Sequence, residues 1–193
     1  GERNTNSGYS AFLGGGTLNT GSAGFSFLGG GCKNTVSGDY SSIVGGSLNS
    51  ASAAHSSIVG GTLNTGSNAF TFIGGGYCNQ VTGCISSVVG GISNTVSGYC
   101  SFIGGGCYNC ITNSGYNSFI GGGNYNTNSS YSGVIVGGSS NTVSVAYDFI
   151  GGGAGNIVSA AYSGILGGSS NTVSHYYSFI VGNNLSSTTN NYT

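Results

Sequence analysis

Aliphatic, glycine and polar positions recur along this chain at a fixed step. A block of one aliphatic residue, Gly-Gly, two further residues and Asn returns at Asn4, Asn19, Asn34, Asn49, Asn64, Asn79, Asn94, Asn109, Asn126, Asn141, Asn156 and Asn171. Every step is 15 residues except the 17 between Asn109 and Asn126, which places a two-residue insertion within 110–118. With the Asn as position zero, position −6 is aliphatic in all twelve units from Leu13 to Ile180, and the last unit has Ser186 where Asn is expected. Position +2 is Val, Ile or Ala in eight of twelve units, +3 is always Ser or Thr, and +1 is Thr or Ser in nine. Gly-Gly occupies −4 and −3 in eleven of twelve units, which reads as a turn where only glycine avoids a Cβ clash. A further column at +6 holds Phe25, Tyr40, His55, Phe70, Tyr147, Tyr162 and Tyr177.

Each unit thus contains two short extended segments separated by glycine-rich turns, both too short for helices. Identical residues at a fixed period stack most simply one above another, one coil per repeat. The pattern predicts an all-β, single-chain β-solenoid (a β-roll or β-helix) of about 12–13 coils, with 15 residues and two short strands per coil. Residues 1–186 form the repeat domain and 187–193 a polar C-terminal tail. The Asn column is expected to form an amide ladder of the kind that stacked identical strands make.

A second regularity concerns the outward side of the −6 strand. Where −7 is Phe, −5 is Gly, as at Phe12, Phe27, Phe72, Phe102, Phe119 and Phe149. Where −7 is Ser, Val or Gly, −5 is aliphatic: Val44, Val59, Val89, Val136 and Leu166. Phe179 with Val181 breaks the rule at the end. Positions two apart share one strand face, so the exchange reads as volume compensation within a packed layer. The strand is then apolar on both faces and calls for cover on both. One coil covers only the inner face, so the outer one calls for a fold of the same chain onto itself or for another subunit; the second is the favoured reading, which makes the −7/−5 residues a self-association face. The +1/+3 face, by contrast, is uncharged and hydroxyl-bearing, suited to solvent. Neither end shows an obvious cap, which points to a fragment of a longer protein or to ends that stack on neighbours.

Composition narrows the function classes. The 193 residues include 41 Gly and no Pro, Met or Trp, and only Glu2, Arg3, Lys33, Asp39 and Asp148 carry formal charge. A net charge of −1 offers no electrostatic footprint for nucleic acid, and no apolar run reaches the ~18 residues of a membrane span. No cofactor, metal site or catalytic group is expected. Asp39 and Asp148 stand seven coils apart, roughly 34 Å at the strand spacing, which removes a carboxylate pair. Asp39 and His55, in adjacent coils among many serines, form the nearest approach to a triad, but His55 also reads simply as an aromatic substitute in the +6 column. Of the six cysteines, Cys84 and Cys100 fall in successive coils and neighbouring columns, which allows a disulfide if their Cα atoms lie within ~7 Å. Cys32 is too distant for any partner in the chain, and Cys107-Tyr-Asn-Cys110 reads as structural. Asn128, Asn184 and Asn191 lie in N-x-[ST] sequons.

The run SFIGGGCYN and the preceding NTVSGYCSFIGGG resemble the Gly/Asn/Ser repeats of fibrous surface proteins, namely the head repeats of trimeric autotransporter adhesins and the shafts of phage or virus tail-fibre-like proteins. The resemblance implies an extracellular, cell-surface or virion fibre. The 15-residue period is not the one usual in those heads, and the sequence shows no coiled-coil stalk or anchor barrel, which leaves the trimer open. The leading expectation is a non-enzymatic structural subunit whose partner is itself. A second is ice binding through the threonines at +1: Thr5, Thr20, Thr35, Thr65, Thr95, Thr127, Thr142 and Thr172. A third is glycan adhesion through the +6 aromatics.

Overall fold

The structure, a computed structural model, describes residues 1–187. The chain is an all-β, single-chain parallel β-solenoid of about 12 coils with two short strands per coil. It comprises two compact units, Gly1–Asn94 and Thr95–Thr193. In the first, strands such as Thr35–Val36 pair in register with Ser50–Ala51, and Ser42–Ile43 pairs with Ser57–Ile58, each parallel and 15 residues on. The second repeats the scheme, as in Thr127–Asn128 with Thr142–Val143 and Val134–Ile135 with Phe149–Ile150. Position −2 adds a third point of parallel pairing that the sequence pattern did not signal, for example Cys32 with Ser47 and Asn124 with Ser139.

Alternation decides what lies inside. The −6 aliphatics and the +2 residues project inward from the two strands and are fully buried, among them Ile43, Val36, Ile73 and Val81 in the first unit and Ile120, Ile135, Val143 and Val158 in the second. Each such side chain contributes about 2 kcal/mol on leaving water. Most of the rest of the interior is polar, and its asparagines and serines are hydrogen-bonded from coil to coil. Asn64 shows the ladder: its Nδ2 donates to Gly60 O (2.9 Å) in its own coil and to Gly76 O (3.1 Å) in the next, and its Oδ1 accepts the Asn79 N–H (3.0 Å). The serines at −8 make a second ladder. Ser101 Oγ donates to Gly115 O (2.6 Å) and accepts the Ser118 N–H (3.1 Å). The Asn34 and Asn141 amides likewise reach forward to the coil that follows them, which satisfies buried backbone groups at the turn.

The two glycines of the turn have different reasons. Gly61 at −3 sits at φ +83°, and a Cβ there would strike Gly76 O of the next coil and the Asn64 amide. Gly60 at −4 has nothing within 4 Å of its Cβ position, as do Gly45 and Gly90. The expectation that both positions require glycine holds at −3 in coil after coil, and at −4 where φ is positive, as at Gly15 (+157°), Gly30 (+159°) and Gly75 (+153°), but not at Gly45, Gly60 or Gly90.

The other corners are made without glycine except at Gly155 (φ 64°). Positions −1 and +6 are left-handed in coil after coil even where the residue is bulky, as at Leu48 (φ 57°), Tyr40 (φ 58°), Phe70 (φ 57°) and Tyr162 (φ 59°). This conformation costs roughly 1–2 kcal/mol per residue. It reverses the direction of the N–H. Strand amides donate forward, Thr35 N to Asn49 O at 2.9 Å, whereas corner amides donate back, Tyr40 N to Gly24 O at 3.0 Å and Leu48 N to Cys32 O at 2.9 Å. The corners thus supply hydrogen bonds to both neighbours of a coil, which offsets the strain.

Two irregularities resolve within the second unit. Thr112 N still bonds Asn128 O as a +3 residue does, and Gly115 O receives the Ser101 hydroxyl as a +4 residue does. The extra residues are therefore Asn113 and Ser114, exposed in a turn closed by Gly115 N to Thr112 O (2.9 Å). The last coil is one residue short. Leu185, not Ser186, occupies the landmark position, since its N–H donates to Asn171 Oδ1 (3.0 Å), and Ser186 pairs with Thr172 one place further. The register shifts between Ile165 and Gly167, so Val181 stands opposite Gly167 at the −4 level. Its pairing with Phe179 is then no exception to the −7/−5 rule. Ser187 N still donates to Thr172 O (3.0 Å), and the remainder of the expected tail, 188–193, lies outside the described residues.

Candidate functional site

The −7/−5 columns form an apolar outer face that the single chain leaves open. In the first unit Phe27 and Phe72 are 40% and 39% exposed, and Val59 and Val89 are 47% and 48%. In the second unit Phe119, Val136, Leu166 and Phe179 are likewise exposed, and Phe102 and Phe149 half-buried. The compensation has a geometric cause. Each ring folds along its own strand over the glycine two residues on. Phe12, Phe27, Phe119 and Phe149 place Cε1 within 3.1–3.3 Å of where a Cβ would stand on Gly14, Gly29, Gly121 and Gly151. The ring fills the volume that valine fills in the other coils. Neighbouring rings stack, with Phe12 and Phe27 centroids 5.2 Å apart and Phe102 and Phe119 5.6 Å apart.

An aromatic corner borders this face. In the first unit Phe25, Tyr40, His55 and Phe70 stack at 5.0, 5.1 and 4.6 Å with planes within 6°. In the second, Tyr147, Tyr162 and Tyr177 stack at 5.0 and 5.4 Å. In other coils +5 supplies the ring where +6 does not: Tyr9 meets Phe25 edge-on, and Tyr131 meets Tyr147 the same way, while the coil of Cys84 and Ile85 has an aromatic at neither position. The +6 column taken alone does not show this, although the exchange between +5 and +6 is written in the sequence. On the opposite side the +1 threonines stand in register, as Thr20 with Thr35 and Thr127 with Thr142, half-buried beside the exposed serines at +3.

The ionisable residues do not assemble into a reactive group. His55 is clamped in the aromatic stack, and the Asp39 carboxylate accepts the Gly24 N–H at 2.9 Å, so the two are engaged separately. His175 bonds through Nδ1 to Ser187 O (2.9 Å). Asp148 takes a place in the serine ladder, where it is buried and its Oδ1 accepts the Ser163 N–H (3.2 Å) while Oδ2 has no partner. Burial pushes its carboxyl up to about 7 from 3.8, against the opposing pull of the Ser163 and Val145 N–H groups. All six cysteines are free thiols, Cys84 in the first unit and Cys100 in the second, and burial raises the Cys110 thiol. Among the described residues no His/Cys/Asp/Glu cluster has the makings of a metal site, and no helix is long and apolar enough to cross a membrane. Asn128 is a core residue at +2, its Nδ2 on Gly133 O (2.8 Å), so that sequon is closed to modification, and Asn191 lies outside the described residues.

No protein-family model matches this chain, and no curated protein matches its sequence.

Proposed function

We propose that this chain is a non-enzymatic structural protein, a β-solenoid subunit that associates with copies of itself to build an extracellular, cell-surface or virion fibre. The observation that carries this reading is the open −7/−5 face, apolar in every coil and free of the five charged residues. Contiguous exposed apolar surface on a regular β-scaffold marks an association site. The resemblance of SFIGGGCYN to adhesin-head and tail-fibre repeats agrees with it. Sedimentation velocity at micromolar concentration, with electron microscopy of the same sample, tests the reading: oligomers or filaments are expected, and a monodisperse monomer refutes it.

Ice binding is the second reading, supported by the in-register threonines of the hydroxyl face. Its test is thermal hysteresis and ice recrystallisation inhibition, whose absence removes it. Glycan adhesion has weaker support, because stacked rings turn their edges outward and keep their faces for one another.

A further inference from the structure

We infer that the apolar face takes a second copy of this chain laid face to face against it, and that association through this face closes at two copies. The inference rests on the self-association reading and names its partner and its limit.

Three features identify the partner. The first is level. A surface facing water has no need to conserve volume, yet the Phe/Gly and small/Val pairs exchange so that rings lie flat over glycine and valines stand where rings are absent. The result is an even surface, which mates with another even surface of the same coil spacing, and a second copy has that spacing throughout. The second feature is charge. None of Glu2, Arg3, Lys33, Asp39 or Asp148 stands at −7 or −5, so two identical faces meet without repulsion and without desolvating an ion. The third is area. With a phenylalanine offering about 200 Å² in full and valine somewhat less, the fractional exposures of these side chains leave roughly 300–500 Å² of apolar surface on this face in each unit. Either value matches the largest apolar patch on an ordinary monomer, the size at which exposed surface marks an association site.

The limit follows from the other face. The +1/+3 columns carry Thr and Ser, with exposed Ser37, Ser52 and Ser67 in the first unit. That face is not of the −7/−5 kind, so a pair that buries the same patch of both copies makes an isologous contact that is used up at two; the exposed Leu48, Leu63 and Tyr125 stand outside the −7/−5 face and take no part in it. Growth into a fibre then uses contacts other than this one.

The test compares the wild-type chain with two triple variants by sedimentation velocity and native mass spectrometry, with circular dichroism confirming the fold. One variant carries Val44→Lys, Val59→Lys and Val89→Lys on the apolar face. The other carries Ser37→Lys, Ser52→Lys and Ser67→Lys on the hydroxyl face. A milder Val44→Ser, Val59→Ser, Val89→Ser triple serves if the lysines unfold the chain. On dilution, wild-type assemblies are expected to resolve to a stable two-copy particle. The hydroxyl-face variant should do the same, and the apolar-face variant should be one copy, its pairing weakened by more than about 100-fold because buried unpaired lysines oppose it. A three-copy particle, or apolar-face variants that pair as well as wild type, overturns this inference and leaves self-association standing. A wild type that is single at every concentration overturns both.

Discussion

Replacing Asp148 by Asn should erase a pH dependence of folding that the wild-type chain carries. Asp148 is 2% exposed, and Oδ2 lacks a partner. Burial holds the folded-state acid near pH 7, whereas the unfolded chain releases its proton at the ordinary 3.8. Between these values the folded state keeps a proton that the unfolded state has lost. Wild-type stability is therefore full below about pH 4, falls as pH rises through the interval, and levels off above 7. Three pH units of difference correspond to about 4 kcal/mol. Asn presents the same shape without charge and stands in for the protonated acid at every pH. Residues 95–193 contain no other Asp, Glu, Lys or Arg, so the difference between the two proteins isolates this carboxyl. Urea denaturation followed by circular dichroism, repeated from about pH 4 to 8 under reducing conditions, reads it directly. The two stabilities should agree at the acid end, and the variant should exceed wild type by several kcal/mol at the alkaline end. Parallel profiles, or a wild type that gains stability with pH, would refute the account of Asp148 as a buried acid.

Four further outcomes follow from the coil geometry. Asn64→Ala strands the Asn79 N–H and the Gly60 carbonyl and takes one of two donors from Gly76 O, which keeps the Thr62 N–H, and should cost about 3 kcal/mol in urea denaturation. Gly61→Ala should cost at least about 2 kcal/mol, since φ is +83° and the next coil is in the way, while Gly60→Ala should stay within about 0.5 kcal/mol; equal losses would contradict the separate roles of the two glycines. His55→Phe should keep the stack between Tyr40 and Phe70 and move stability by less than about 1 kcal/mol, a result that melting temperature decides. Deleting Asn113 and Ser114 restores the 15-residue step and should leave the circular dichroism spectrum unchanged with equal or higher stability, whereas loss of cooperative unfolding would show that the insertion is needed.

Much of the architecture is legible because the interior of a coil is small and every coil solves the same packing problem. The burial of Ile43, Ile58 and Ile73, and the Asn column, follow from period and alternation alone. The corners were hidden for a physical reason. Tyr40 and Leu48 are poor left-handed residues by local preference, and what holds them so is a hydrogen bond to the previous coil, which no window of local sequence contains. The last coil was misaligned by one residue because Ile180 fits the −6 column, while the shortening that puts Leu185 on Asn171 lies beyond it. Asp148 was counted by its charge, and only stacking placed it in the serine ladder. The outer face was legible as apolar, and the Phe/Gly exchange was visible as spacing. That the exchange levels an open surface rather than filling a closed core required the orientation of the rings.

The forward reach of the asparagine amides also gives assembly of the coils a direction. A finished coil holds out an oxygen and an N–H, fixed by its own turn, that match the backbone of the segment to come. A ribosome delivers the amino-terminal segment first, so each newly extruded stretch meets a template already in place, and winding can keep pace with synthesis. Winding from the opposite end would meet few waiting side chains, such as the Asp39 carboxylate that takes the Gly24 N–H, and would lack the oxygen that Asn64 and its counterparts hold out to the next landmark N–H.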